Sequence, residues 1–276
     1  MGTLPCFSPF LSLSSTKIPS LSRIRPIIAM SSKAPDTPTV TTLMVTSPLS
    51  KPLLPKPIWA KLGQRLNVAG MLSFLAVILR DQEMALPHLR AQDLRWVNWA
   101  ELKRQGFEGV VLDKDNTLTA PYSFSLWPGL GSSLDQCKSV FKGKVALFSN
   151  SSGLLEYDSD GSEAKALEKL LGVHVIRHGT KKPAGTAEEI EKYFNCEASQ
   201  LVMVGDRYFT DVVFGNRNGF LTILTQPLSL AEEPLVVKQV RKLEAALVSS
   251  WYQKGLQPRK HSRLSDESCC VQDPAS

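Results

Sequence analysis

From about residue 98 the chain settles into a regular alternation that leaves few folds open. Short apolar runs at 109–112, 145–148, 173–176, 201–204 and 220–224 are separated by amphipathic segments at 132–142, 162–171, 186–195 and 210–217. Strands alternating with helices of this length imply parallel pairing, and a parallel sheet needs both faces covered. The expected fold class is therefore α/β: a doubly wound, Rossmann-like parallel sheet with helices on both faces. Gly219 suits the C-terminal cap of the last of these helices. A further helix is expected over 230–253, opened by the Ser229–Glu232 capping-box pattern. Leu235, Val236, Val240, Leu243 and Leu247 would form its apolar face.

The rest of the 276 residues are organised around this block. Residues 1–58 are rich in Ser, Thr and Pro, with Asp36 as the one acid. This composition matches an organelle transit peptide, plastid more than mitochondrion because Ser and Thr outweigh Arg. Six of the 32 basic residues but one of the 26 acidic ones lie there, which leaves 26 against 25 in the remainder. The formal charge of +6 thus belongs mainly to the leader, and a nucleic-acid partner is not expected. Residues 59–98 form an N-terminal apolar segment and linker. Its run Val68–Leu79 is shorter than the roughly 20 residues a bilayer crossing needs. Two readings stay open for it, a helix in the membrane interface or a helix packed on the core. The α/β block is expected over 99–254, and 255–276 reads as a polar, frayed tail holding Cys269 and Cys270. The five cysteines form no C-x-x-C pair, so neither a zinc site nor a disulfide framework is expected.

Four polar clusters follow four of the apolar runs, where open α/β sheets bind their ligands. Asp113 and Asp115 follow 109–112: at a strand end one carboxylate can attack phosphorus while the other exchanges a proton with the leaving oxygen and with water. Ser149 and Asn150 follow 145–148, where a hydroxyl and nearby N–H groups can hold phosphate oxygens. In Lys181-Lys182-Pro183 a fixed ammonium can neutralise both nucleophile and phosphoryl group, and Lys182 is preferred because the following proline stiffens the chain. Asp206 can complete a hard-oxygen site, and Asp211 can orient a water or a neighbouring side chain. Taken singly, each cluster is also ordinary turn, loop or surface composition.

Taken in order, Asp113-x-Asp115-x-Thr117, Ser149, Lys182-Pro183 and Gly205-Asp206-x-x-x-x-Asp211 resemble the haloacid dehalogenase superfamily. The stretch Leu112 to Tyr122, with Ser149-Asn150-Ser151, Arg177-His178-Gly179 and Gly205-Asp206-Arg207, is similar to the phosphatidylglycerophosphate phosphatases of mitochondria and plastids. The resemblance implies a phosphoric monoester hydrolase with Asp113 as nucleophile and Asp115 as general acid and base. Ser149, Asn150 and Lys182 would bind the phosphate oxygens. Mg²⁺ would be held by Asp113, Asp115 (through its carbonyl) and Asp206, with Asp211 and Thr117 in support. The implied substrate is a phospholipid at a membrane surface, and the implied address is the plastid, with the mitochondrion as a second site. The alternatives are the same chemistry on a soluble phosphomonoester or phosphoprotein, or a non-catalytic membrane-associated scaffold. Intervals of 36 residues from Asp113 to Ser149 and 32 from Asn150 to Lys182 leave no room for a separate cap domain, so an open site is expected. Lys114, Arg177, Lys181 and Arg207 are the basic residues expected at its rim.

Overall fold

In the computed structural model, residues 75–272 are described. The leader 1–58, the apolar segment as far as residue 74, and residues 273–276 lie outside the described residues. Six strands among the described residues make one sheet: β1 Leu89–Ala91, β2 Gly109–Leu112, β3 Val145–Leu147, β4 His174–Val175, β5 Leu201–Gly205 and β6 Leu221–Thr225. Their order is β1-β6-β5-β2-β3-β4, and every pairing is parallel. The chain runs outward from β2 through β3 to β4, then returns to β5 on the other side of β2. The crevice between the carboxyl ends of β2 and β5 is therefore the topological switch point, where such sheets bind ligands.

Alternation along the strands divides the core in two. Val110, Leu112, Val202 and Val204 face α1 (Trp99–Arg104), α2 (Gly131–Val140) and α3 (Ser162–Leu171), against Trp99, Leu102, Leu134 and Leu167. Val111, Ala146 and Met203 face the other way, against Ile190 and Phe194 of α4 (Glu188–Phe194) and Phe214 of α5 (Val213–Asn218). Both faces of β2, β3, β5 and β6 are covered, and every residue in these strands is buried. Each large apolar side chain so buried contributes about 1.5–3 kcal/mol. The links from β2 to β3 and from β3 to β4 each contain one helix, α2 and α3, and no separate cap domain is present among the described residues. Gly219 ends α5 at φ 86°, a left-handed position that suits glycine.

Three features depart from the sequence reading. The first is β1, three residues with Arg90 exposed between two buried neighbours, too short to register as an apolar run. The second is the last helix, α6, which spans Leu235–Gln253 and begins after Pro234, not at Ser229. Ser229 is committed elsewhere: its N–H donates to Asn116 Oδ1, and its hydroxyl accepts from the Ala231 N–H. The buried side of α6 is Glu244, Val248 and Trp251, while Leu235, Val236 and Leu243 are 75%, 72% and 50% exposed. The helix is turned this way because Arg241 and Glu244 must reach ionic partners beneath it.

The third departure is the tail. Within it Leu264, Cys270 and Val271 pack against the core, while most of its other described residues are exposed. Cys270 is fully buried in the core cluster, Val271 bridges Val97, and the Asn98 N–H donates to Cys270 O at 2.9 Å. Upstream, Val77 in the helical stretch 75–79 is buried with Val213, Val248 and Trp251, whereas Leu79 is 75% exposed. No described helix is long and apolar enough to cross a membrane.

Ending the chain at residue 263 should uncover the pocket that Leu264, Cys270 and Val271 fill. The expected loss is about 2–3 kcal/mol, or roughly 5–10 °C in melting temperature. An unchanged thermal transition would contradict the packed tail.

Candidate active site

The site grows from the carboxyl ends of β2 and β5. Asp113 is the first residue past β2, and its N–H still pairs with Val204 O at 2.9 Å, so the sheet ladder fixes its backbone. Lys182 Nζ donates to Asp113 Oδ1 at 2.7 Å, to Asp211 Oδ1 at 2.6 Å and to Phe148 O at 2.7 Å. Three donors meet three acceptors, so the ammonium is fully engaged while 2% exposed. Burial works to lower the Lys182 pKa, but Asp113 and Asp211 outweigh it and hold it above the ordinary lysine range.

Asp206 follows β5. One carboxylate oxygen each from Asp113, Asp206 and Asp211 lie within 4.8 Å of one another, all three residues being buried. Gly205 makes this possible: a Cβ there would stand 2.3 Å from Asp211 Cγ, so only glycine lets Asp211 fold back against the strand end. Asp211 is held there by the Arg207 N–H, 3.1 Å from its Oδ2. Burial, opposed by Lys182 and reinforced by Asp211, pushes the Asp113 carboxyl up to about 6. Burial, with Asp211 and Asp113 adding to it and Arg241 opposing, pushes Asp206 up to about 8. Three carboxylates crowded in this way are short of positive charge. They fit a hard, oxygen-seeking divalent cation both in donor type and in electrostatic demand.

The remaining residues singled out in the sequence separate into two groups. The Asp115 carboxylate is not in the triad; Asp211 stands there instead. Asp115 Oδ1 accepts from Lys114 Nζ at 2.5 Å and from the Tyr122 N–H at 2.9 Å, and Oδ2 accepts from Ser151 Oγ at 2.9 Å. Its side chain is 29% exposed, on the open side of the site. Ser149 Oγ lies 3.0 Å from Ser151 Oγ, so a hydroxyl chain runs from Ser149 to Asp115. The Asn150 amide does not face the triad: it clips the backbone of Lys182, accepting from its N–H at 2.7 Å and donating to its carbonyl at 3.0 Å. Thr117 is buried, and its hydroxyl has no hydrogen-bond partner.

Of the basic residues expected at the rim, Lys114 is buried on Asp115, and Lys181 is taken by Glu156 and the Tyr157 hydroxyl. Arg177 donates to the Asp158 and Ser159 carbonyls, and Arg207 pairs with the buried Glu244. None of the four is left to face a ligand alone. His178 bridges the Ser149 and Thr180 carbonyls at 2.9 and 2.7 Å and so ties the loop after β3 to the loop after β4.

A second layer was invisible in the sequence. Arg241 of α6 reaches Asp206 Oδ2 at 2.5 Å and Asp206 O at 3.2 Å. The same guanidinium grips Glu233 at 2.5 to 2.8 Å, and Glu233 Oε1 accepts from Asn116 Nδ2 at 2.7 Å. Asn116 belongs to the loop after β2 and Asp206 to the loop after β5, so this clasp fixes one of these loops to the other. Its members lie up to 125 residues apart, from Asn116 to Arg241, with no spacing pattern to reveal them. Beside it opens a cleft of about 530 Å³ between α6 and the β6 loop, with Asp206 and Arg241 in its lining.

Comparison with known proteins gives a consistent result. The family model described as mitochondrial PGP phosphatase matches residues 68–229. Phosphatidylglycerophosphate phosphatase 1, chloroplastic/mitochondrial, of Arabidopsis thaliana is 58% identical over 216 residues. That match covers 78% of this chain but 62% of the Arabidopsis protein, so the chain spans less than two thirds of that relative's length. The chloroplastic counterpart from Chlamydomonas reinhardtii is 47% identical over 74% of this chain and 76% of its own. The mitochondrial phosphatidylglycerophosphatase GEP4 of Saccharomyces cerevisiae is 36% identical over 41% of this chain and 63% of its own.

Replacing Lys182 with Met should leave Asp113 and Asp211 buried without their cation, at a cost of roughly 3–5 kcal/mol near neutral pH. The sign with pH follows from the raised Asp113 pKa. The folded state can keep a proton that the unfolded chain has lost, so the penalty shrinks as pH falls from about 7 toward 4. Denaturation of native and variant protein at pH 5 and 7.5, without metal, checks this. An equal loss at both values would contradict it.

Proposed function

The chain belongs to the mitochondrial PGP phosphatase family, and from that premise we propose that it hydrolyses phosphatidylglycerophosphate to phosphatidylglycerol and inorganic phosphate. The observation that carries this reading is the buried triad of carboxylates held against one ammonium at the switch point of the sheet. Such a cluster has little purpose as scaffolding, since the desolvation cost of burying three carboxylates can exceed what their ion pairs with Lys182 and Arg241 return.

In the proposed reaction Asp113 is the nucleophile. Lys182 occupies its Oδ1, leaving Oδ2 to attack the terminal phosphorus in line with the glycerol oxygen that leaves. A bond forms from Asp113 to phosphorus, the phosphorus–glycerol bond breaks, and Asp115 gives its proton to the departing alkoxide. Asp115 suits this role because it stands outside the triad, is partly solvent-exposed, and is held by Ser151 and the Tyr122 N–H. It then takes a proton from the water that attacks the aspartyl-phosphate, and phosphate leaves with Asp113 restored as a carboxylate. Lys182 and the Ser149 hydroxyl offset the equatorial oxygen charge, while Asn150 holds Lys182 in place.

Mg²⁺ is the proposed cation. Asp113 and Asp206 would hold it with the Asp115 carbonyl, and Asp211 stands close enough to act as a further oxygen donor or to hold a bound water. When bound it supplies charge neutralisation on the transferring phosphoryl group. The absence of a cap among the described residues suits a substrate that stays partly in a membrane, because no lid must close over it. The Ser/Thr/Pro-rich leader 1–58 and the names of the plant and algal relatives support an address in the plastid, with the mitochondrion as a second. In this reading 99–254 is the phosphatase domain.

Replacing Asp113 with Asn should lower turnover of phosphatidylglycerophosphate by at least about 10³-fold, and Asp115→Asn by about 10²–10⁴-fold. Retention of native rate by Asp113→Asn would remove the nucleophile. Preference for a water-soluble ester over the lipid would remove the substrate. The metal should show itself in stability as well. Without it, Asp206 and Asp113 keep protons in the folded state that the unfolded chain loses, so stability falls as pH rises from about 4 through 8. Magnesium, which binds the ionised carboxylates, should therefore raise the melting temperature more at pH 8 than at pH 5. Equal gains at both values would contradict the assignment.

A further inference from the structure

The outward face of α6 is chemically lopsided. Leu235, Val236 and Leu243 stand 75%, 72% and 50% exposed, and Leu230 in the preceding loop is 45% exposed. The one acid in the helix, Glu244, is buried on Arg207, so the outer face carries Lys238 and Lys242 with no carboxylate. Glu232, in the turn before the helix, is the exposed acid nearby. Single exposed apolar residues are ordinary, but a row of them along one helix beside lysines marks an interaction surface.

We propose that this face of α6 is the surface on which the protein rests against an anionic lipid bilayer, with the cleft beneath the helix leading from that surface to Asp206. The inference rests on the phosphatidylglycerophosphate reading and adds to it the element that meets the membrane. Two observations select this occupant. The first is charge: an apolar row on a helix whose outer face carries two lysines and no carboxylate, with Glu232 confined to the turn before it, fits a surface that offers both hydrocarbon and negative phosphate. A second copy of the chain seated on the same face about a two-fold axis would set Lys238 and Lys242 against their own counterparts.

The second is continuity with the site. Leu230, Leu235, Lys238 and Lys242 of this face also line the cleft whose lining includes Asp206 and Arg241. A helix of 19 residues is about 28 Å long and can lie flat in the interface, its leucines at acyl depth and its lysines reaching back to head-group phosphates. A head group entering from that side would approach the carboxylate triad along the cleft. The rotation of α6 away from its sequence-expected packing then has two consequences. Arg241 points inward to the catalytic loops, and the displaced apolar stripe points out to lipid.

The test is co-sedimentation of the full chain with vesicles of phosphatidylcholine alone and with phosphatidylglycerol added. The native chain should prefer the anionic vesicles. The triple variant Leu235→Asp, Val236→Asp, Leu243→Asp should bind them at least about tenfold more weakly, with its thermal transition preserved. Leu170→Asp, an equally exposed leucine on α3, should bind like the native chain. The pair Lys238→Gln, Lys242→Gln, which leaves the apolar row intact, should lose the preference for phosphatidylglycerol. The ratio of the rate on vesicle-borne phosphatidylglycerophosphate to that on p-nitrophenyl phosphate should fall in parallel. Undiminished vesicle binding by both α6 variants would overturn the proposal, as would a native dimer that the triple variant converts to monomer. If α6-dependent binding to anionic vesicles holds but the lipid is not hydrolysed, the substrate reading fails and the docking surface stands.

Discussion

One buried ammonium organises the site. Lys182 Nζ spends its three donors on Asp113, Asp211 and the Phe148 carbonyl, and so ties together the loops that follow β2, β3, β4 and β5. Two carboxylates could not be buried side by side without it, because the desolvation of each would go uncompensated. The backbone of Lys182 is in turn clipped by Asn150, whose amide oxygen accepts from its N–H and whose amide nitrogen donates to its carbonyl. Even so, two cations, Lys182 and Arg241, do not balance three buried acids, and burial together with the mutual repulsion of the carboxylates raises the pKa values of Asp113 and Asp206. The fold thus holds a buried acidic cluster whose donor set and charge fit a divalent ion.

A second ionic clasp sets the position of the last helix. Arg241 is shared between Asp206 and Glu233, and Glu233 holds Asn116, so α6 is locked to both catalytic loops by charge. Apolar packing adds to it, with Val248 and Trp251 closing the cluster that Phe209 and Val213 begin. The inward turn of Arg241 and the exposure of Leu235, Val236 and Leu243 are in this way two consequences of one helix orientation.

Much of the fold was legible because parallel strands buried on both faces must be nearly all apolar, as 109–112 and 201–204 are. Helix 162–171 was legible to the residue from its amphipathic period. What failed was local patterning overruled by distant charge. Leu235, Val236 and Leu243 read as part of a buried face, yet they are exposed, and Arg241 and Glu244 took the inside because their partners Asp206, Glu233 and Arg207 were waiting there, while Leu247 stays packed on the core. Cys270 and Val271 read as tail because their partners, Val97 and the first core layer, lie some 170 residues away in sequence. Within the site, the motif residues were nameable because each sits just past a strand. Whether a side chain faces the phosphate or braces a neighbour was not legible. Asn150 braces, Asp211 joins the triad, and the Asp115 carboxylate stands apart, all of which depends on loop geometry that spacing alone does not encode.

In the proposed reaction every later step depends on Asp113 forming a covalent bond to phosphorus. Acid-quenching the enzyme during turnover of phosphatidylglycerophosphate, reducing with borohydride and mapping the peptides by mass spectrometry examines this directly. An acyl phosphate at Asp113 would be reduced to homoserine at that position, and the product should be missing from Asp113→Asn. Reduction at Asp115 or Asp206 instead, or no reduced residue during active turnover, would contradict the account.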